Sequence, residues 1–272
     1  MTRLQFRYYM RLSFTESVKN HRFTLKCIPN SDERQQISIT EFKVRPNSFI
    51  NDTVDSFGNL VVYGYEECEH NQFEFEIKGN AKTDINGLNK TESDDILRDS
   101  QISLFKYQTE ITRPGELILE YYNMLENKES EALDYAMHIT QTLGNDFMYV
   151  SNSTDIQTTA EEAMNKKIGV CQDYAHIMLS LCRLRKIPCR YVTGMMTGEG
   201  ASHAWVEVFA DNKWIGMDPT NASIVDEHYI KIAHGRDYKD CLVNRGIFNG
   251  NVIQTQEVSV NVEVLEETGE LK

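Results

Sequence analysis

The stretch GVCQDYAHIMLSLCRLRKIPCRYVTG, residues 169–194, decides how this chain is read. Within it Tyr174, Ile177, Met178, Leu181, Cys182 and Arg185 recur at i, i+3, i+4, i+7, i+8 and i+11. Five apolar positions and one arginine stem therefore share a helix face. The helix is expected to begin at Gly169-Val170-Cys171 and to end before Pro188, whose ring cannot continue it. Cys171 falls in its first turn, where unpaired backbone N–H groups and the positive end of the helix dipole favour a thiolate. A backbone N–H at that turn is also a natural donor to a developing oxyanion. The other five cysteines lack this placement. Cys182 lies on the apolar face of the same helix, and Cys27 and Cys189 fall in strand patterns, so those three read as small core residues. Cys68 and Cys241 lie among polar residues and give no signal.

Strands are expected downstream at Cys189–Thr193, His203–Phe209 and Trp214–Asp218. A loop of two or four residues around Asp211-Asn212 pairs Phe209 with Trp214, hence Trp205 with Asp218 and His203 with Thr220. His203 and Trp205 then share a face, and Asp218 becomes the diagonal neighbour of His203, a span of roughly 7–8 Å that imidazole and carboxylate can close. An odd-length loop without a bulge would put Asp218 on the other face. The expected chemistry is Cys171 as nucleophile, His203 as base and Asp218 as the group that fixes the imidazole tautomer. Taken singly each residue has a bland reading: a structural cysteine, a hydrogen-bonded strand histidine, an aspartate opening a turn before proline. Their order and shared face favour the joint reading. A zinc site from the same three residues lacks any paired-ligand spacing. His176, off the main stripe, reads as a helix-packing residue, and Asp173 as a partner of the helix dipole.

The first third of the chain is β-rich. Every even position from Leu4 to Phe14 is apolar, and shorter alternations follow at 23–27, 37–44 and 73–77, with turn chemistry at Gly58-Asn59. A small β-sandwich is expected over residues 1–95, with the polar stretch from Gly79 to about Ser100 as the connection. The second domain, 96–272, opens with helices after Pro114, through Leu133–Ile139 to a stop near Gly144, and after the Thr159–Glu162 capping box. It closes with a strand through Val258, Val260, Val262 and Val264. The glycines at 194, 198 and 200 suggest a mobile loop beside His203.

Composition excludes several partner classes. With 28 Lys+Arg against 41 Asp+Glu the formal charge is −13, which disfavours nucleic acid and anionic lipid. No signal-type or membrane-spanning apolar run occurs, and the scattered cysteines suggest reduced thiols, so a cytoplasmic setting is expected. The Asn-x-Ser/Thr triplets at Asn51, Asn89, Asn152 and Asn221 then carry no meaning.

Three blocks carry a resemblance: residues 169–194, SHAWVEVF (202–209) and WIGMDPTN (214–221). In this order they resemble the bacterial branch of the transglutaminase-like superfamily, whose members are often described as candidate cysteine proteases. The N-terminal stretch with FGN at 57–59 and the segment HGRDYKDCLVNRGIFNG (234–250) are similar to its flanking regions. The resemblance implies an α+β fold, a papain-like core with the Cys helix on an antiparallel sheet, and a triad on Cys171, His203 and Asp218. Animal members use an upstream Trp to hold the oxyanion, whereas Trp205 and Trp214 both lie downstream. Tyr149 and Gln172 are the candidates for that role here, and Trp205 for a wall of the substrate cleft. No cofactor and no metal are expected. The function expected first is a thiol peptidase or amidase working through a thioester on a peptide or protein amide. A transglutaminase-type acyltransferase with an amine acceptor uses the same triad, and a non-catalytic binding module on the same scaffold is the third alternative. Oligomeric state has no sequence signature.

Overall fold

The alternation at the N-terminus runs further than expected: β1 extends over Thr2–Leu25 and buries Leu4, Phe6, Tyr8, Met10, Leu12 and Phe14. This computed structural model describes residues 1–46, 49–87, 101–125 and 130–267. β2 (Gln35–Arg45), β3 (Phe49–Val54), β4 (Leu60–Glu66) and β5 (His70–Thr83) complete the first part. Then follow α1 (Glu116–Met124), α2 (Ala132–Asp146), β6 (Met148–Tyr149), α3 (Ala160–Lys166), β7 (Ile168–Gly169) and α4 (Cys171–Leu184). The remainder is β8 (Cys189–Met196), β9 (Gly198–Gly200), β10 (His203–Ala210), β11 (Lys213–Asp218), β12 (Ser223–Ile224), β13 (Tyr229–Gly235), β14 (Asn244–Asn249) and β15 (Gln254–Glu267).

The architecture is α+β. A five-stranded antiparallel sheet in the order β12-β11-β10-β8-β13 carries α4 against β8 and β10. An eight-stranded sheet is organised by β1, whose first half pairs β5 and β15 and whose second half pairs β4 and β14. The C-terminal strand expected at 258–264 is thus a neighbour of the N-terminal strand. A cut at 95/96 would separate β15 from β1, and the cut itself lies outside the described residues. The connection expected from Gly79 begins later, because β5 stays paired to β1 as far as Thr83. One apolar cluster joins Phe6, Met10, Phe75 and Val262 of the large sheet to Ile177, Leu181 and Val206 of the other layer.

Three glycines were read differently by periodicity than by packing. Gly144 does not stop α2, which continues to Asp146. A Cβ there would lie 2.7 Å from the Cβ of Ala222 and 3.3 Å from the Pro219 carbonyl oxygen, so the glycine lets the helix press against the turn after Asp218. The loop expected to be mobile is instead β9, an edge strand whose Gly198 and Gly200 pair with Val262 and Val260 of β15. That pairing ties the approach to His203 into the large sheet.

Candidate active site

Cys171 is the first residue of α4, and its environment is built from that helix start. Val170 supplies no side-chain acceptor, so only half a capping box forms: the Asp173 carboxylate accepts from the Val170 N–H at 2.7 Å. The same oxygen, Oδ2, accepts the Thr154 hydroxyl at 2.6 Å, fastening the 150–159 loop to the helix mouth. Asp173 is 1% exposed, its Oδ1 has no partner among the described residues, and burial raises its pKa. The N–H groups of Asp173 and Tyr174 are taken by the Val170 carbonyl. Those of Cys171 and Gln172 belong to the first turn, where a helix offers no internal acceptor. Cys171 is partly exposed, whereas Cys27, Cys182, Cys189 and Cys241 are buried; Cys68 is exposed in the distant β4–β5 turn.

The hairpin has the expected register. Phe209 pairs with Trp214 and Val206 with Met217, and the two-residue loop Asp211-Asn212 has φ of 50° and 60°. Positive φ at both central positions is the geometry that matches strand twist, and Asp and Asn tolerate it. His203 and Asp218 meet across it, with Nε2 and Oδ2 2.7 Å apart. The remaining ring nitrogen, Nδ1, is left for Cys171, whose thiol interacts electrostatically with the imidazole. Burial works to lower the His203 pKa, but the hydrogen bonds and charges of Asp218 and Cys171 outweigh it and push it up to about 10. An imidazolium is the favoured form beside the sulfur.

Asp218 is wholly buried, and burial alone would raise its pKa; hydrogen bonding reverses the sign, His203 contributing most. Its Oδ2 takes His203, Asn221 Nδ2 at 2.7 Å and Tyr229 Oη at 2.9 Å. Its Oδ1 accepts the N–H groups of Thr220 (2.9 Å) and Asn221 (3.2 Å). Donors on a carboxylate stabilise its charged form. Tyr229 also packs against both His203 and Trp205, with ring centroids at 6.1 and 5.5 Å.

Of the remaining expected residues, Tyr149 does come to the site. β6 and β7 run parallel with Tyr149 opposite Gly169, and the half-exposed phenol interacts electrostatically with Cys171. Gln172 follows Cys171 in the first turn and is 9% exposed. Trp205 is a correction: it is 1% exposed, packed against Val192, Val225 and Tyr229, and so supports His203 from behind rather than walling a cleft. His176 is a packing residue: its Nε2 accepts the Tyr238 N–H at 3.3 Å, its ring lies on Tyr191, and burial lowers its pKa to about 3. Sequence reading missed Asn221, Tyr229 and Thr154 and gave Asp173 only a dipole role. Asn221 lies in the quoted DPTN block; Tyr229 and Thr154 carry no local pattern. Among the described residues no group of three or more His, Cys, Asp or Glu is arranged to hold a metal ion, and no helix is long and apolar enough to cross a membrane.

A thiol at a helix mouth, and an imidazole on β10 with a buried carboxylate behind it, sit on an α+β core of transglutaminase-like, papain-like fold. Residues 121–219 match the transglutaminase-like superfamily model, and residues 4–82 match the bacterial transglutaminase-like N-terminal region. The chain belongs to the transglutaminase-like superfamily. It is similar in fold to a crystal structure of a candidate cysteine protease from Cytophaga hutchinsonii, with a TM-score of 0.75 and 23% identity over 99% of this chain and 93% of that one. An uncharacterized protein of Mycobacterium tuberculosis is 35% identical over 136 residues, 44% of this chain and 43% of its own length. One from Mycobacterium leprae is 35% identical over 124 residues, 42% and 44% of the two chains. The chain thus matches less than half the length of these curated relatives.

Proposed function

We propose that the protein is a cysteine peptidase or amidase. The observation that carries this reading is one imidazole held between the Cys171 thiol and a buried, five-times hydrogen-bonded Asp218. The Cys171 thiolate attacks an amide carbonyl carbon, a C–S bond forms, and the oxygen takes the negative charge. Backbone N–H groups of the first turn of α4, with the Tyr149 hydroxyl beside them, are the donors available to that oxyanion. The His203 imidazolium gives its proton to the leaving nitrogen, the C–N bond breaks, and a thioester remains on Cys171. Water then attacks the thioester with His203 as base, releasing the carboxylic acid and restoring the thiol. Asp218 holds the ring in one orientation and stays ionised throughout.

An amine in place of water turns the same cycle into transamidation, and water exclusion around the thioester decides between them. Turnover of a peptide and amide panel, with Cys171→Ala as the control, tests the reading. Ammonia release from glutamine-containing peptides, with and without a primary amine, separates the two outcomes. Hydrolysis exceeding amine incorporation is expected; the reverse makes the protein a transglutaminase-type acyltransferase. Equal rates in wild type and Cys171→Ala would leave only a binding module.

A further inference from the structure

A cavity lies at the other end of β10 from His203, between the β3–β4 hairpin tip and the β10–β11 hairpin. Six residues separate His203 from Phe209 along that strand, about 20 Å at a strand's rise. The cavity holds about 340 Å³ and is walled by Phe57, Phe105, Phe209 and Trp214. These rings form one connected cluster: Phe57–Phe105 at 6.0 Å, Phe105–Trp214 at 5.4 Å and Phe209–Trp214 at 5.2 Å. Phe57, Phe209 and Trp214 are each partly exposed, so ring surface remains uncovered.

Two polar groups reach the same space. Arg190 lies over the Trp214 ring at 4.1 Å, and its Nε and Nη2 are both held by Glu207 Oε2, at 2.6 and 2.5 Å. Among the described residues no hydrogen bond is shown for its Nη1, so an anchored guanidinium with an unused N–H edge lines the cavity. His234 lines the cavity too, and among the described residues its ring makes no hydrogen bond, while its backbone is clamped by Asn59 at 2.8 Å. Burial, then the Arg190 and Lys231 charges, hold its pKa well below the usual value, so the ring is neutral. Arg190 is offset by Glu207, and exposed Lys213 and Glu33 bring one charge of each sign to the lining.

The geometry points to a second binding site, remote from Cys171, for a small, flat, uncharged aromatic molecule bearing a carbonyl acceptor. Aromatic walls with a few convergent polar groups and this volume are the usual makings of a small-molecule site. Offset stacking on Trp214 and Phe57 selects a planar ring. The carbonyl takes the free edge of Arg190, whose charge Glu207 already offsets, so an anion gains no unpaired counter-charge there. The inference is independent of the thiol chemistry.

Benzamide is the probe. The chain has two tryptophans, Trp205 behind His203 and Trp214 in the cavity, so two indole N–H resonances report the two ends of β10 separately. Benzamide is expected to move the Trp214 resonance saturably, with a Kd on the order of 1 mM for so small a ligand, and to leave Trp205 in place. Cyclohexanecarboxamide, which lacks the flat face, and benzoate, which adds a charge, are each expected to bind at least about tenfold more weakly. Phe57→Ala, at the half-buried hairpin tip, is expected to weaken benzamide about tenfold while keeping the dispersed spectrum of a folded chain. No saturable movement of Trp214, equal movement of both indoles, or equal binding of the saturated amide would each overturn the proposal in the wild-type protein alone.

Discussion

Two buried aspartates flank the Cys171–His203 contact, and the chain treats them oppositely. Asp218, at the end of β11, receives five hydrogen bonds and its pKa is lowered despite complete burial. Asp173, in the first turn of α4, receives two, leaves Oδ1 bare, and its pKa is raised. Burial is common to both, so the number and kind of donors decides the sign. The lesson is a division of labour. The carboxylate behind the imidazole is held charged, where it stabilises an imidazolium; the charged form of the one two residues from the thiol is disfavoured by burial and less fully compensated.

The largest expected effect breaks the Asp218 side. Asp218→Asn should slow thioester formation on the order of 10³-fold, because the amide can present the wrong partner to Nε2 and removes the counter-charge. Stopped-flow acylation would measure it, and a loss under tenfold would mean Asp218 is merely structural. Stability against pH is the next lever. The folded His203 pKa, about 10, lies above its ordinary 6.5, so its contribution is full below about pH 6.5 and disappears as pH rises through about 10. Denaturant titrations should show wild type losing a few kcal/mol over that window relative to His203→Gln; parallel curves would refute the shift.

Tyr229→Phe sharpens the comparison by removing one donor from Oδ2. A hydrogen bond to a charged group is worth about 1.5–3 kcal/mol, so acylation should fall about tenfold or more while His203 and Trp205 keep their packing. An unchanged rate would show that Asn221 and His203 suffice. The smallest change is expected on the other aspartate. Asp173→Asn keeps an acceptor for Val170 and Thr154 and should alter acylation less than about threefold, whereas Asp173→Ala, which releases both, should cost about 1 kcal/mol of stability as a lost helix cap does. A large rate loss in Asp173→Asn would mean that its charge is required.

Much of this site was legible because short-range rules fix it. Asp211-Asn212 dictates a two-residue turn, the turn dictates the Phe209–Trp214 register, and the register brings Asp218 to His203. The helix of Cys171 followed from the 3.6-residue spacing of Tyr174, Ile177 and Leu181. What escaped depends on distant chain segments. Tyr229 reaches Asp218 from another strand, and Thr154 reaches Asp173 from a loop 19 residues upstream. Gly144 looked like a helix stop because conformation and close approach leave the same residue in the sequence. Gly198 and Gly200 looked mobile because their partner, β15, lies some 60 residues on. Trp205, a cleft candidate in the sequence, shares a strand face with His203, and that face is covered by Val225 and Tyr229.

The account stands on the Cys171 sulfur being paired with the His203 imidazole. Iodoacetamide labelling of Cys171, followed site by site by mass spectrometry from about pH 5 to 9, tests this in wild type and His203→Ala. Faster labelling of Cys171 in wild type than in His203→Ala, with the largest gap at the acid end, is the predicted result. Identical climbing profiles in the two proteins would contradict it.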